Sequence, residues 1–237
     1  RPRKLIDLLG PQKLIGEGKP LLKLITGKSN FSFILWGPPG SGKTTIARLV
    51  ASMSENEFHE ISAVNAGVSE IRRVVLQAKK SWNLSKRGSV LFIDEIHRLN
   101  KSQQDSVLPH VENGTIRLIG STTENPSFEV IPALRSRCQV FRLDPLSKND
   151  MRSLLERGLV DRECGLGNDL FEIDFAAREL IICHANGDAR KALNLLEAAH
   201  DFYCSSEKET RPVTVQDIKG IIQSVSVLYD KGGTEHY

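Results

Sequence analysis

Long apolar runs are missing from this chain. No stretch of its 237 residues approaches the ~20 apolar positions that a membrane span needs, and the opening RPRKLIDLLG has no signal-peptide core. Cysteine is sparse and scattered: Cys138, Cys164, Cys183 and Cys204 fall in no CxxC spacing, which excludes a sequence-local zinc site or dithiol redox pair and fits a reduced, cytosolic setting. The six histidines, at positions 59, 97, 110, 184, 200 and 236, have no metal-ligand spacing either. Neither sign of charge is in large excess; 32 basic against 29 acidic residues leave +3, so charge neither demands nor forbids an anionic partner. Aromatic residues make up 6%, and no stacking platform for single-stranded nucleic acid is evident among them. Repeats and low-complexity segments are absent as well. What remains is a globular chain at 40% hydrophobic content, long enough for one large domain or two small ones.

Its texture changes once. Up to about residue 146, short apolar runs (FSFILW, VLFI, IRLIG, QVFRL) alternate with helical or polar stretches, which predicts a parallel sheet wrapped by helices. From residue 147 the apolar spacing turns helical, with Leu154, Leu155 and Leu159 in one segment and Ile218, Ile221, Ile222 and Val225 in another, and no strand is expected there. The prediction is therefore an α/β domain over 1–146 and a small all-helical domain over 147–237, with CSSEKETRP at 204–212 as an exposed loop between helices.

FSFILWGPPGSGKTT places Gly37, Pro38, Pro39, Gly40, Ser41, Gly42, Lys43 and Thr44 in the pattern GxxxxGK[ST], between an apolar strand and the helical TIARLVASM that begins at Thr45. Glycines let backbone N–H groups curl around phosphate oxygens, and a helix start adds the positive end of its dipole. Lys43 is the residue to reach the outer phosphates of ATP, and Thr44 offers a hydroxyl to Mg²⁺.

Mg²⁺ keeps several waters and takes one or two protein carboxylates, so a phosphate loop needs an acid nearby. VLFI ends on Asp94 and Glu95, and in a parallel α/β sheet ligands gather at the carboxyl ends of strands. Neighbours on a strand point to opposite faces, so the two acids should differ in task. Asp94 is assigned to the hydrated Mg²⁺ and Glu95 to polarising the water that attacks the γ-phosphate. The other reading of the pair is a helix start, where acids are favoured.

GPPGSGKT and LFIDEIHR, followed by LIGSTTENPSFEV, PALRSRC and GDARKALNLLE, resemble a P-loop AAA+ ATPase of the clamp-loader branch. More narrowly, DEIHRLNKSQQDSVLPHVENGTIRLIGSTTENPSFEV closely resembles the replication-associated recombination protein A family, also called MgsA, with the Werner helicase-interacting proteins as its eukaryotic relatives. The likeness runs almost end to end. It implies a catalytic AAA+ module with a helical lid. Thr123, or Thr122 beside it, matches the sensor at the strand end, and Arg137, with Arg135 as the other candidate, matches the arginine finger offered to a neighbouring subunit. Arg190 matches the lid arginine that reaches the nucleotide, and Leu14 and Ile15 lie where the family packs adenine, though apolar residues before a helix are also plain core. It further implies Mg²⁺-dependent ATP hydrolysis stimulated by forked or single-strand-containing DNA, a homo-oligomer, contact with replication proteins such as single-strand-binding protein, and a cytoplasmic, nucleoid-associated location.

The sequence departs from the family pattern at Gly10-Pro11-Gln12, where relatives carry Gly-Gln, which alters a turn near the adenine segment. It also stops before the C-terminal region linked to tetramer formation, and it has no N-terminal zinc finger. Arg72, Arg73, Lys79, Lys80, Lys86 and Arg87, on a helix from about Ser69 to Lys80 and the loop after it, suit either a DNA backbone or simple solvation. Function is read as an ATP-driven motor in replication-fork maintenance, recombination and repair. The other readings are a clamp-loader subunit, a Holliday-junction branch-migration motor, or a nucleotide-gated binding module with little turnover.

Overall fold

The computed structural model describes residues 7–10, 12–15, 19–26, 31–53, 56–64, 67–85, 88–168, 171–205 and 211–232. It divides into two compact units between Asp144 and Pro145.

The first unit is built on five parallel strands, β1 (Ser32–Trp36), β2 (Glu57–Ser62), β3 (Ser89–Asp94), β4 (Arg117–Thr122) and β5 (Cys138–Arg142), in the order β2-β3-β4-β1-β5. Its helices are α1 (Gln12–Ile15), α2 (Pro20–Ile25), α3 (Lys43–Ser52), α4 (Val68–Ser85), α5 (Lys101–Glu112), α6 (Pro126–Glu129) and α7 (Pro132–Ser136). The apolar runs of the central strands are continuous rather than alternating because both faces are covered. Phe33, Leu35, Val90, Phe92 and Ile119 pack with Leu21 and Leu24 of α2 and Ile46, Ala47 and Val50 of α3. Ile34, Leu91, Ile93 and Leu118, one residue out of phase, pack on the other face with Ile71, Val74 and Val75 of α4, Val107 of α5 and Leu134 of α7. Each fully buried Val, Leu, Ile or Phe among these contributes about 1.5–3 kcal/mol.

This division of helices follows from strand order. The chain crosses from β1 to the far edge at β2 through α3, then returns step by step through β3 and β4 to β5. Right-handed crossovers that run in opposite directions put their helices on opposite faces. The reversal occurs at β1, so the loop leaving β1 opens beside the carboxyl ends of β4 and β3, where α/β sheets bind ligands.

One buried polar group joins the helices behind β4. Gln104 of α5 is 1% exposed; its amide donates to the carbonyls of Leu99 and Glu129, both at 3.0 Å, and its Oε1 accepts from the Ile131 N–H at 2.9 Å. The short turn between α6 and α7 is fixed by it. A capping box between Asn100 and Gln103 starts α5, which supplies partners to two otherwise orphaned N–H donors.

The second unit holds α8 (Lys148–Val160), α9 (Phe175–Ala185), α10 (Ala189–Ser205) and α11 (Val215–Gly232), packed through Met151, Leu155, Ala177, Ile181, Ala192, Leu196, Ala199 and Ile218, all buried. Among the described residues an isolated bridge between Ile173 and Val213 is its only β feature. No described helix is long and apolar enough to cross a membrane.

Candidate active site

The strand β1 ends against a phosphate-loop frame. Gly37 donates its N–H to the Thr122 carbonyl at 3.2 Å, and a Cβ at this position would run into the Leu143 carbonyl, so only glycine lets the loop leave the sheet here. Gly42 adopts φ 91° as the residue that caps α3, a left-handed conformation that other residues reach only with strain. Lys43, 7% exposed, turns its ammonium back into the loop and donates to the carbonyls of Gly37 at 2.7 Å and Pro38 at 2.9 Å. The Ser41 hydroxyl donates to the same Pro38 carbonyl at 2.8 Å, while Pro39 lies exposed at the loop tip and Gly40 takes a positive φ of 70°. Thr44 and Thr45 follow, half-buried, in the first turn of α3. A buried cation beside a helix N-terminus is a setting for an oxyanion.

Asp94 is the last residue of β3, and Glu95 is not on the strand at all. Its backbone sits at φ 56°, ψ 46°, one of two non-glycine residues among those described with positive φ. The two acids therefore diverge through a left-handed turn rather than through the strand pleat, which corrects the alternation expected from sequence. Such a conformation costs on the order of 1–3 kcal/mol and persists where its surroundings hold it. The register Ile93 to Gly120 brings Ser121 beside this turn: its hydroxyl donates to Asp94 Oδ1 and accepts the Glu95 N–H at 3.3 Å. Thr123 Oγ1 lies 3.5 Å from Glu95 Oε2. Thr122 instead is fully buried, with its hydroxyl 3.0 Å from His97 Nδ1 and bonded to both the N–H and carbonyl of Glu124. Of the two threonines weighed for one role, Thr123 stands at the accessible edge.

Two family models match the sequence in tandem: the ATPase family associated with various cellular activities (AAA) over residues 33–146 and the AAA C-terminal domain over 167–237. The replication-associated recombination protein A of Coxiella burnetii is 45% identical over 241 aligned residues that take in the whole chain, and that of Escherichia coli K12 is 41% identical over 237. The chain belongs to the AAA ATPases, in the replication-associated recombination protein A family.

The chain spans about half the length of these curated relatives, 53% of each. Among solved structures, the RuvB Holliday junction branch migration motor of Thermotoga maritima superposes with a TM-score of 0.74 at 26% identity, over 94% of this chain and 72% of that one. The remaining candidates lie on other elements. Arg137 closes α7 just before β5, and Cys138 pairs with Ser32 at the amino end of β1 while the phosphate loop leaves beyond Trp36. The five paired positions are four rises of a strand, about 13 Å, so Arg137 and Lys43 mark opposite edges of one sheet. The Arg137 guanidinium pairs with Glu112 at 3.1 Å, whereas Arg135 donates to the Ser127 carbonyl at 2.8 Å. Arg190 lies exposed in the first turn of α10 in the second unit; there Asp188 accepts the backbone N–H groups of Arg190 and Lys191 at 2.8 and 3.2 Å and so serves as a helix cap.

Leu14 and Ile15 are half-buried against the α2–α3 layer of core, and Pro11 lies outside the described residues. The basic helix is longer than its pattern suggested: α4 continues through Trp82 and Ser85, with Arg72, Arg73, Lys79 and Lys80 exposed, while Lys86 and Arg87 fall outside the description. Ser121 was not singled out from sequence, because only the β3–β4 register brings it to the acids; His97 stands two residues after Glu95, and the same register sets Thr122 against its ring. For Mg²⁺ the fit rests on oxygen donors. Among the described residues no group of three or more His, Cys, Asp and Glu side chains could hold a metal; one hydroxyl at Thr44 and one oriented carboxylate at Asp94 are the kind of sparse oxygen set that Mg²⁺ takes.

Proposed function

We propose that the first unit is the nucleotide-binding domain, 1–146 in sequence, that it hydrolyses ATP, and that the helical unit over 147–237 is its lid. The observation that carries this reading is the gathering of the Lys43 loop, Asp94, Glu95 and Thr123 at the carboxyl edge of β1, β3 and β4.

In this reading the loop from Gly37 to Thr45 cradles the phosphates, and Lys43 exchanges its two carbonyl partners for phosphate oxygens. Thr44 and Asp94 would hold Mg²⁺, which would neutralise charge on the phosphate oxygens. Glu95 takes a proton from water as the water oxygen bonds to the γ-phosphorus. The bond from phosphorus to the bridging oxygen breaks, and ADP leaves with that electron pair. Thr123 senses the γ-phosphate, Arg190 reports nucleotide state from the lid, and Leu14 and Ile15 border adenine. Arg137, on the opposite edge from its own loop, serves the site of a neighbouring copy, where an arginine stabilises transition-state charge by ~10³–10⁵ in rate. Its half-exposed pair with Glu112 is of a kind worth only about 0–1 kcal/mol and is readily exchanged.

The wider role is fork maintenance, recombination and repair in the cytoplasm, with turnover coupled to remodelling of DNA or a DNA-bound protein by a homo-oligomer. The family and the exposed basic face of α4 support it; contacts from that face would be sequence-independent and salt-sensitive. ATP hydrolysis by the full-length protein, with and without forked DNA, beside Arg137→Ala and Glu95→Gln, tests the reading. DNA-stimulated turnover that both substitutions remove while ATP binding persists is the expected result. Turnover indifferent to Glu95 would refute the catalytic assignment, and turnover indifferent to Arg137 would refute the shared site.

A further inference from the structure

His97 follows the acid pair on a single 3-10 turn, Ile96–Arg98, with its side chain only 13% exposed. Nδ1 faces two oxygens at once: Glu95 Oε2 at 3.3 Å and Thr122 Oγ1 at 3.0 Å. Proton counting decides how these groups are arranged. An ionised carboxylate can only accept, so a hydrogen bond to Glu95 places the proton on Nδ1. Thr122 must then accept from His97 too, and its own single proton goes to the Glu124 carbonyl at 3.1 Å. The two lone pairs of Thr122 are taken by His97 Nδ1–H and by the Glu124 N–H at 3.0 Å. With the proton on Nδ1, every donor in this set has an acceptor.

From this we infer that His97 is a positioning residue for hydrolysis: its Nδ1–H, anchored by the buried Thr122 hydroxyl, holds the Glu95 carboxylate in the orientation from which it accepts the proton of water. The inference rests on the proposed role of Glu95 as base. Glu95 needs such a hold because it hangs from a left-handed turn outside the strand, where no ladder or neighbouring pleat sets its direction. Thr123 touches the same Oε2 only at 3.5 Å, the outer limit of a hydrogen bond. His97 touches no substrate atom in this scheme; it acts through Glu95.

The shape of the imidazole supplies the test. An asparagine amide reaches the place of Nδ1, and a glutamine amide the place of Nε2. ATP turnover and nucleotide affinity are measured for the full-length protein and its His97→Asn, His97→Gln and His97→Ala variants, with thermal melting to show that each is folded. Expected is a kcat within a few-fold of the parent for His97→Asn and a loss of roughly tenfold to a hundredfold for His97→Gln and His97→Ala, typical for removal of an orienting partner. Nucleotide affinity stays unchanged in all three. Combining His97→Ala with Glu95→Gln adds no further loss, because one acts through the other. Thr122→Val reproduces the kcat defect without touching the ring. Equal kcat in His97→Gln and the parent overturns the inference while leaving the proposed ATPase intact, and so does a defect confined to nucleotide affinity. A parent whose turnover ignores Glu95→Gln overturns both.

Discussion

The Ser121 hydroxyl, on β4, donates to Asp94 Oδ1 at the end of β3 and accepts the N–H of Glu95 at 3.3 Å. One small side chain thus orients the proposed metal carboxylate and pins the turn that carries the proposed base. Ser121→Ala removes both contacts and leaves the carboxylate free to rotate. The Mg²⁺ concentration that gives half-maximal hydrolysis should rise about tenfold, in line with the loss of outer partners at metal sites. A magnesium titration at fixed ATP checks it, and Ser121→Thr, which keeps the hydroxyl, should stay near the parent.

Gln104 makes a second, structural prediction. Gln104→Leu keeps the volume but leaves the Leu99 and Glu129 carbonyls and the Ile131 N–H buried without partners. Each such group costs roughly 1–3 kcal/mol, offset in part by the apolar side chain, so a net destabilisation of about 3 kcal/mol is expected. Urea unfolding of the variant against the parent measures it. A change below about 0.5 kcal/mol would place this residue among ordinary surface positions.

In the second unit, Asp217 opens α11 and accepts from Arg211 at 2.7 and 3.0 Å and from the Thr214 N–H and hydroxyl at 2.8 and 2.7 Å. The Arg211 guanidinium, followed by the Thr214 donors, holds its carboxyl far below the ordinary carboxylate range. A depressed folded pKa contributes stability that is present above the unfolded value of about 4 and is lost as pH falls below it, because the unfolded chain binds the proton first. Thermal melts between about pH 5 and pH 2 should therefore fall more steeply for the parent than for Asp217→Asn. Parallel curves would remove Asp217 from the acid response.

Thiol chemistry separates Cys138 from the other cysteines. Burial pushes its thiol up to about 12, and the thiolate is the reactive form. Cys164, Cys183 and Cys204 are exposed. A thiol reagent at pH 8 should modify those three in the folded protein and reach Cys138 only on denaturation; mass spectrometry of the peptides assigns them.

How legible these features are in the sequence depends on how local their causes are. FSFILW, VLFI and IRLIG mark β1, β3 and β4 because a two-sided core leaves continuous apolar runs, whereas QVFRL marks β5 although only Phe141 of that edge strand is buried. β2, at the sheet edge, was not marked: EFHEIS is covered less fully, only Ile61 of it is buried, and its charged residues hide the strand. The phosphate loop is contiguous and could be read residue by residue. Ser121 could not be assigned from a linear motif, since its contact with Asp94 arises from a register between residues 27 apart; His97 is local to Glu95, but its second partner, Thr122, comes from the neighbouring strand. The left-handed turn at Glu95 was invisible for a related reason: glutamate gives no composition signal for positive φ, unlike the glycine at position 42.

The placement of Arg137 and Lys43 at opposite edges of one sheet bears on kinetic order. A reaction completed within one chain proceeds at a rate proportional to protein concentration, so activity per milligram is constant on dilution. If a finger and a loop must come from different copies, activity per milligram falls as copies dissociate, and an inactive copy that keeps its loop but lacks its finger poisons its neighbour. Mixtures of Arg137→Ala and Lys43→Ala chains, each inert alone, should then regain turnover when combined.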